Sequence, residues 1–154
     1  MLDLKVSLEG TDKVSAALRN AQRTIGEATS PVLRDVASSI KTTAEGRASQ
    51  RRVHNLWRSS SGRMLSPRYR TEFPGAYMAR VSTGGGASGK AEAIAEFASS
   101  GITPQGAAMV RGLSHAWGGT GRILWRTHDD LSDELASRFD AAVAAAASKI
   151  EGSM

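Results

Sequence analysis

The sequence predicts an α+β fold in which a small antiparallel sheet packs against two N-terminal helices and a long C-terminal helix. Two patterns lead to this prediction: apolar residues alternate in short runs, as in half-buried strands, and elsewhere recur every three or four positions, as in helices. The 154 residues are enough for a single domain over 1–154 with its own core. Only 5% of them are aromatic, so the core must be built mainly from Ala, Leu, Val and Ile.

The strand pattern is clearest at the N-terminus. There the apolar residues Leu2, Leu4, Val6 and Leu8 alternate with polar ones, and Gly10 follows them. Thr11 is predicted to cap a helix with an apolar stripe that ends near Ile25. Pro31, placed after a possible Ser30 cap, is predicted to begin a second helix that continues to about Arg47.

The central part of the chain alternates between strand and glycine signals. Residues 76–82 are predicted to form a strand, and residues 83–90 a glycine-rich loop. The run 91–98 has a composition that also suits a helix. Its short length and its place after the loop favour a strand that pairs back on 76–82.

Two helices are predicted in the last third of the chain. Thr103 and Pro104 begin one, with Trp117 on its apolar face, and the glycines from Gly118 onward end it. Asp129 and Asp130 are predicted to lie at the start of the final helix, about twenty residues long. Its apolar stripe consists of Leu131, Leu135, Phe139, Ala142, Ala146 and Ile150.

Positive charge is concentrated in residues 47–71, which contain seven arginines and no acidic residue and are predicted to form a flexible basic loop. The net charge of +5 and the pI near 10.1 favour an anionic partner. Trp57 and Tyr69 could add stacking on bases, and the alternative is a solvated loop that orders against an acidic protein surface. The candidate DNA-facing or interface residues are Arg47, Arg51, Arg52, Trp57, Arg58, Arg63, Arg68 and Arg70.

An acidic patch near the start of the final helix complements these arginines. A head-to-tail ring, in which the arginines of one subunit meet the acids of the next, is therefore physically reasonable. The acidic residues are Asp129, Asp130, Asp133 and Glu134.

No pattern in the sequence predicts an enzyme, a metal site or a cofactor. The chain has no cysteine, and its histidines, at 54, 115 and 128, lack metal-ligand spacing. The run 84–90, GGGASGK, fits the beginning of a phosphate-binding loop, but Ala91 stands where the hydroxyl residue is needed. The N-terminus does not read as a signal peptide, and no apolar run approaches the ~20 residues that span a bilayer. These features predict assembly in the cytoplasm.

Three segments resemble the small neck and tail-completion proteins of long-tailed bacteriophages. They are VSLEGTDKVSAALRNA at 6–21, AEAIAEFASSG at 91–101 and GRILWRTHDDLSDELASRF at 121–139. The resemblance implies a non-catalytic structural protein of the virion, assembled in the host cytoplasm. It would form a ring at the head–tail interface, contact connector (head-completion) and tail-tube proteins, and let DNA pass through its lumen.

Within this interpretation, Trp117 and Trp125 are the candidate partner-docking residues. The segment 103–119 is predicted to be an added helix that distinguishes this protein's partner from those of its relatives. The alternative function is a non-specific nucleic-acid-binding module that uses the arginines between 47 and 70.

Overall fold

A computed structural model describes residues 11–50, 53, 56–75 and 77–152 of the chain. It contains four helices and a two-stranded sheet, so the predicted α+β class is confirmed. The elements, in chain order, are α1 (Thr11–Gln50), β1 (Tyr69–Gly75), β2 (Met78–Thr83), α2 (Gly86–Phe97), α3 (Pro104–Trp117) and α4 (Leu124–Glu151). The strand predicted over Leu2–Leu8 lies outside the described residues. No described helix combines the length and the apolar character needed to cross a membrane.

The two predicted N-terminal helices are one continuous helix of 40 residues, α1. At 1.5 Å per residue it is about 60 Å long. Pro31 lies inside it, where the missing N–H and the proline ring disfavour a straight helix. The helix nevertheless continues, and contacts hold it on both sides of this point: Arg138 of α4 pairs with Asp35, and Tyr77 at the hairpin tip bonds to Gln22. Tertiary contact therefore outweighs the local stop signal.

Strands β1 and β2 form an antiparallel hairpin that lies along α1. The register pairs Tyr69 with Thr83 and Glu72 with Arg80, and it shifts before the tip. Residues of β1 alternate between the two faces, with Tyr69 buried against α1 and Arg70 exposed. At the tip, the Tyr77 hydroxyl donates a 2.6 Å hydrogen bond to the Gln22 carbonyl oxygen. The strand predicted over residues 76–82 is confirmed as β2, within one or two residues at each end.

Residues 91–97 of the segment 91–98 are helical, so its assignment to a strand was wrong. Helix α2 begins at Gly86 and takes in the end of the predicted glycine loop, giving twelve residues instead of eight. Gly84 and Gly89 allow the chain to fold tightly here, because a Cβ on Gly89 would overlap the Gly84 carbonyl oxygen. Ala91 and Ala95, one helical turn apart, are buried in the core. The composition signal was therefore correct, and the length argument against it failed.

Helix α3 forms as predicted, from the cap to the final glycine. The Thr103 hydroxyl accepts a 3.0 Å hydrogen bond from the Gly106 amide, and Pro104 occupies the first turn. Gly118 follows the helix with φ of 89°, a conformation that favours glycine. Leu113 and Trp117 both face the core.

Helix α4 begins earlier than predicted. It starts at Leu124, so Asp129 and Asp130 lie in its second turn instead of at its beginning. It runs antiparallel to α1, because Arg138 pairs with Asp35 while Asp130 pairs with Arg47. The core lies where α1, α2, α3, β1 and the start of α4 meet. Its buried members are Ala44, Ala48, Leu56, Trp57, Tyr69, Ala91, Ala95, Leu113, Trp117 and Ile123.

Candidate interaction surfaces

The described candidate arginines are divided between two places. Arg58, Arg63, Arg68 and Arg70 are exposed, on the ragged turn before β1 and on the outer face of β1. That turn contains an isolated antiparallel bridge between Arg58 and Met64, so this part of the basic segment is an irregular hairpin. Arg51 and Arg52 lie outside the described residues.

The four exposed arginines form what we call the basic surface: Arg58, Arg63, Arg68 and Arg70. Among the residues that the structure describes, no carboxylate lies within 4.0 Å of their guanidinium groups. On the same outer face of the sheet, Arg80 lies 3.9 Å from Glu72. The basic surface is therefore available to an anionic partner.

Arg47 differs from these four because it already has a partner. It lies in the last turn of α1 and forms an ion pair with Asp130 of α4. The arginine–aspartate contact predicted between subunits thus occurs here within one chain. It links the C-terminal end of α1 to the second turn of α4. Asp129, Asp133 and Glu134 remain exposed on α4.

The aromatic residues of the basic segment are not available for stacking. Trp57 is only 6% exposed and Tyr69 only 2%, and both belong to the core. The prediction that they stack on bases is therefore wrong for this structure. In the described part of the chain, neither the Trp57 indole nitrogen nor the Tyr69 hydroxyl has a hydrogen-bond partner. Burial raises the pKa of the Tyr69 hydroxyl above its ordinary value of 10.0, and nearby carboxylates, chiefly Glu96, raise it further.

The two candidate docking tryptophans have opposite environments. Trp117 is 9% exposed at the end of α3, so it has little surface to offer a partner, and its predicted docking role does not fit this structure. Trp125 is 59% exposed at the start of α4 and contacts His128 edge to face, with ring centroids 6.5 Å apart. Of the pair, only Trp125 is exposed enough for docking.

Two buried glutamates on α2, which the sequence analysis did not identify, organise this end of the molecule. The Glu92 carboxylate accepts hydrogen bonds from the backbone amides of Arg68 and Gly84 and from the Ser88 hydroxyl. The first amide of the 84–90 run, that of Gly84, is therefore already bonded to a carboxylate of the same chain. The available sequence signal was the spacing of Glu92 and Glu96, which share a face only one turn apart once the segment is read as a helix.

Glu96 caps the N-terminus of α4, which has no capping side chain of its own. It accepts hydrogen bonds from the amides of Ile123, Leu124 and Trp125 at 2.9–3.2 Å. The buried Arg122 guanidinium donates to carbonyl oxygens at the end of α2, including that of Ala98 at 2.8 Å. These charged groups fasten α2 to α4, so their role is structural.

The described residues contain no cluster of three or more metal-ligating side chains. His128 lies 3.3 Å from Asp129, but both side chains are more than half exposed on α4. The Ser114 hydroxyl oxygen accepts a hydrogen bond from the Arg122 guanidinium, with the two atoms 3.5 Å apart.

An apolar groove lies between β2 and α4, with α1 as its floor. Its volume is about 500 Å³. Ala79 and Val81 of β2 form one wall, and none of its lining residues comes from β1. The groove therefore follows the edge of β2 that faces away from β1. We call it the β2–α4 groove; its other apolar residues are Leu33, Val36, Ala37 and Ile40 of α1 and Leu135, Ala136 and Phe139 of α4.

The chain matches no family model, no curated protein and no solved structure.

Proposed function

We propose that this protein is a structural subunit of the bacteriophage neck, which joins or completes the tail as a ring with a lumen for DNA. The observation that supports this most directly is the basic surface. Four arginines are held in place by a hairpin and a strand, without a carboxylate partner among the described residues. Arginine suits carboxylates and phosphates alike, so this surface can serve a neighbouring subunit or DNA.

The distribution of charge suits a closed head-to-tail ring. The basic surface lies on β1 and the turn before it, whereas Asp129, Asp133 and Glu134 lie on the second and third turns of α4. Two complementary patches at different places on one subunit give a heterologous contact, which closes into a ring when the rotation allows it. Since Arg47 already neutralises Asp130 within the chain, and Arg138 lies 3.9 Å from Glu134, the subunit contact would use mainly Asp129 and Asp133.

Association with the proposed partners tests this function directly. The purified chain is mixed with tail-tube and connector proteins of a long-tailed bacteriophage, and the products are examined by native mass spectrometry and negative-stain electron microscopy. We expect rings or capped tubes that contain this chain. If neither mixture yields a complex at micromolar concentration, the proposed function is wrong.

A charge exchange tests the contact between subunits. Arg58→Glu with Arg63→Glu should abolish ring formation, and Asp129→Lys with Asp133→Lys added to the same chain should restore it in part. Both pairs are exposed, so the fold should be unaffected, which circular dichroism checks. The control is Arg23→Glu, which changes an exposed arginine in the N-terminal part of α1 and should leave the rings intact. Rings that survive the first exchange would exclude this contact.

The second candidate function, non-specific nucleic-acid binding, rests on the same arginines. The burial of Trp57 and Tyr69 leaves phosphate contacts as the means of binding. Each phosphate contact changes the slope of log K against log salt by about 0.9. Arg58→Ala with Arg63→Ala should therefore reduce the slope by about two. Binding that does not depend on salt would exclude this function.

A further inference from the structure

We propose that the N-terminal segment of one subunit, Leu2–Leu8, adds as a strand to the free edge of β2 in a second copy of the chain and fills the β2–α4 groove there. This inference rests on the proposed ring-forming function and specifies how neighbouring subunits are joined. It follows from three observations: an unpaired strand edge, an apolar groove beside that edge, and the limited reach of the segment within its own chain.

Both strands of the two-stranded sheet have an outer edge without a strand partner in the described residues, and the edge beside the groove belongs to β2. In an antiparallel strand, alternate residues direct their N–H and C=O groups to opposite edges. Within the described residues, β2 pairs with β1 alone, and no other backbone group bonds to Met78–Thr83. An edge of this kind is a template for another strand unless something covers it.

The groove supplies a partner for the side chains of an added strand. Ala79 and Val81 point toward α1, and the groove continues from them to Leu135 and Phe139 of α4. A strand beside β2 would therefore place every second side chain over an apolar floor and the alternate ones in solvent. Leu2, Leu4, Val6 and Leu8 have this spacing, and the residues between them are Asp3, Lys5 and Ser7.

The length of the chain before α1 determines whether Leu2–Leu8 can bind the groove of its own subunit or only that of a second copy. The groove's α1 residues run from Leu33 to Ile40, which are 22–29 positions after Thr11 and so about 33–44 Å from it along the helix. An extended chain advances about 3.3 Å per residue, so Leu8 lies at most ~10 Å and Val6 at most ~17 Å from Thr11. Only the first one or two residues could reach the groove of their own subunit. The complete apolar face fits only the groove of a second copy.

Cysteine cross-linking provides the test, because the chain has no native cysteine. Directly opposite residues of paired strands point to the same face, so residues that face the groove in the segment should meet Ala79 and not Arg80. Chains with Val6→Cys or Leu4→Cys are mixed with chains carrying Ala79→Cys and oxidised. We expect a disulfide-linked dimer of the two different chains. The matched control, Lys5→Cys with Ala79→Cys, should give at least fivefold less of it.

A single chain carrying both Val6→Cys and Ala79→Cys distinguishes the two arrangements. Oxidation at nanomolar concentration should leave its thiols free, and oxidation at high concentration should give linked multimers. A disulfide within one chain at nanomolar concentration would overturn the proposal, since the segment would then occupy its own groove. The absence of any cross-link from both segment positions would overturn it as well.

A second measurement does not depend on cross-linking. Leu4→Asp with Val6→Asp changes residues outside the described structure, and it should shift the protein from multimer to monomer in native mass spectrometry. Lys5→Asp with Ser7→Asp, which adds similar charge on the other face, should not. If the first variant remains multimeric, the proposal fails. A different result would be a monomeric unmodified chain whose binding to the tail-tube protein is lost on Ala79→Asp. In that case the tail-tube protein occupies the groove, and the proposal also fails.

These outcomes separate the inference from the proposed function. Strand exchange that occurs without any binding to tail-tube or connector protein supports the inference and contradicts the neck function. If the variant with Leu4→Asp and Val6→Asp still binds those proteins and remains multimeric, the result supports the neck function and contradicts the inference.

Discussion

Glu96 offers the sharpest test of how this fold is held together. Its carboxylate is fully buried and accepts hydrogen bonds from the first three amides of α4. Glu96→Ala leaves these amides without their acceptor. The Ile123 amide is buried and the Leu124 amide is partly buried, and each should cost about 1–2 kcal/mol when unsatisfied. Loss of the negative charge at the helix N-terminus adds up to about 2 kcal/mol.

The expected total is about 2–6 kcal/mol, a large part of the ~5–15 kcal/mol that stabilises a typical domain. At about 2–4 °C per kcal/mol for a chain of this size, the melting temperature should fall by roughly 4–24 °C. Glu96→Gln keeps one acceptor oxygen and should cost about half as much.

Urea unfolding followed by far-ultraviolet circular dichroism measures this loss, with an unchanged slope expected if only the native state is affected. Glu134→Gln is the control, because that glutamate lies on α4, the helix that Glu96 caps, with a side chain 66% exposed. It should change the free energy of unfolding by less than about 0.5 kcal/mol. If Glu96→Ala stays within 1 kcal/mol of that control, the capping role assigned to Glu96 is refuted.

Three further predictions concern single positions. Tyr69→Phe removes a buried hydroxyl with no described hydrogen-bond partner, so it should be neutral or stabilise by about 1 kcal/mol. The folded state raises the pKa of Tyr69 above its unfolded value near 10, so the stability of the wild type should fall as the pH rises above 10. Urea midpoints of the Tyr69→Phe variant should fall less over the same pH range. Gly89→Ala should destabilise the fold by about 1–3 kcal/mol, because the added Cβ would meet the backbone at Gly84. Gly46→Ala, which has open space around it in α1, should stabilise the fold by about 0.5–1 kcal/mol. Equal effects of the two substitutions on the urea midpoint would contradict this. Trp117→Ala should cost about 3–5 kcal/mol and Trp125→Ala less than about 1 kcal/mol, and thermal melts that reverse this order would show that the core is assigned wrongly.

Much of the helical content could be predicted from local sequence. The cap at Thr103, the proline after it and the terminal Gly118 define α3, because each acts on its own backbone within one turn. The apolar stripe of α4 was also readable, since periodicity depends only on spacing. The basic segment and its lack of acids follow from the sequence alone.

Long-range contacts decided the features that were predicted wrongly. Whether Pro31 ends a helix depends on what covers its flanks, and α4 and the hairpin come from parts of the chain far from it. Residues 91–97 are helical partly for a local reason, since the preceding glycines allow α2 to begin in a tight turn, and partly because distant elements bury Ala91 and Ala95. The burial of Trp57 and Trp117 likewise depends on packing between distant elements.

By itself, the sequence determined the α+β class, the strong helix signals and a basic segment without acids, because these depend on residue type and spacing. Only the tertiary structure determined which charges remain available. It buries Glu92 and Glu96 as acceptors for backbone amides, pairs Arg47 with Asp130, and leaves the basic surface and the β2–α4 groove open. The physical reason is that hydrogen bonding and burial are set by neighbours in space, and a linear pattern does not specify them.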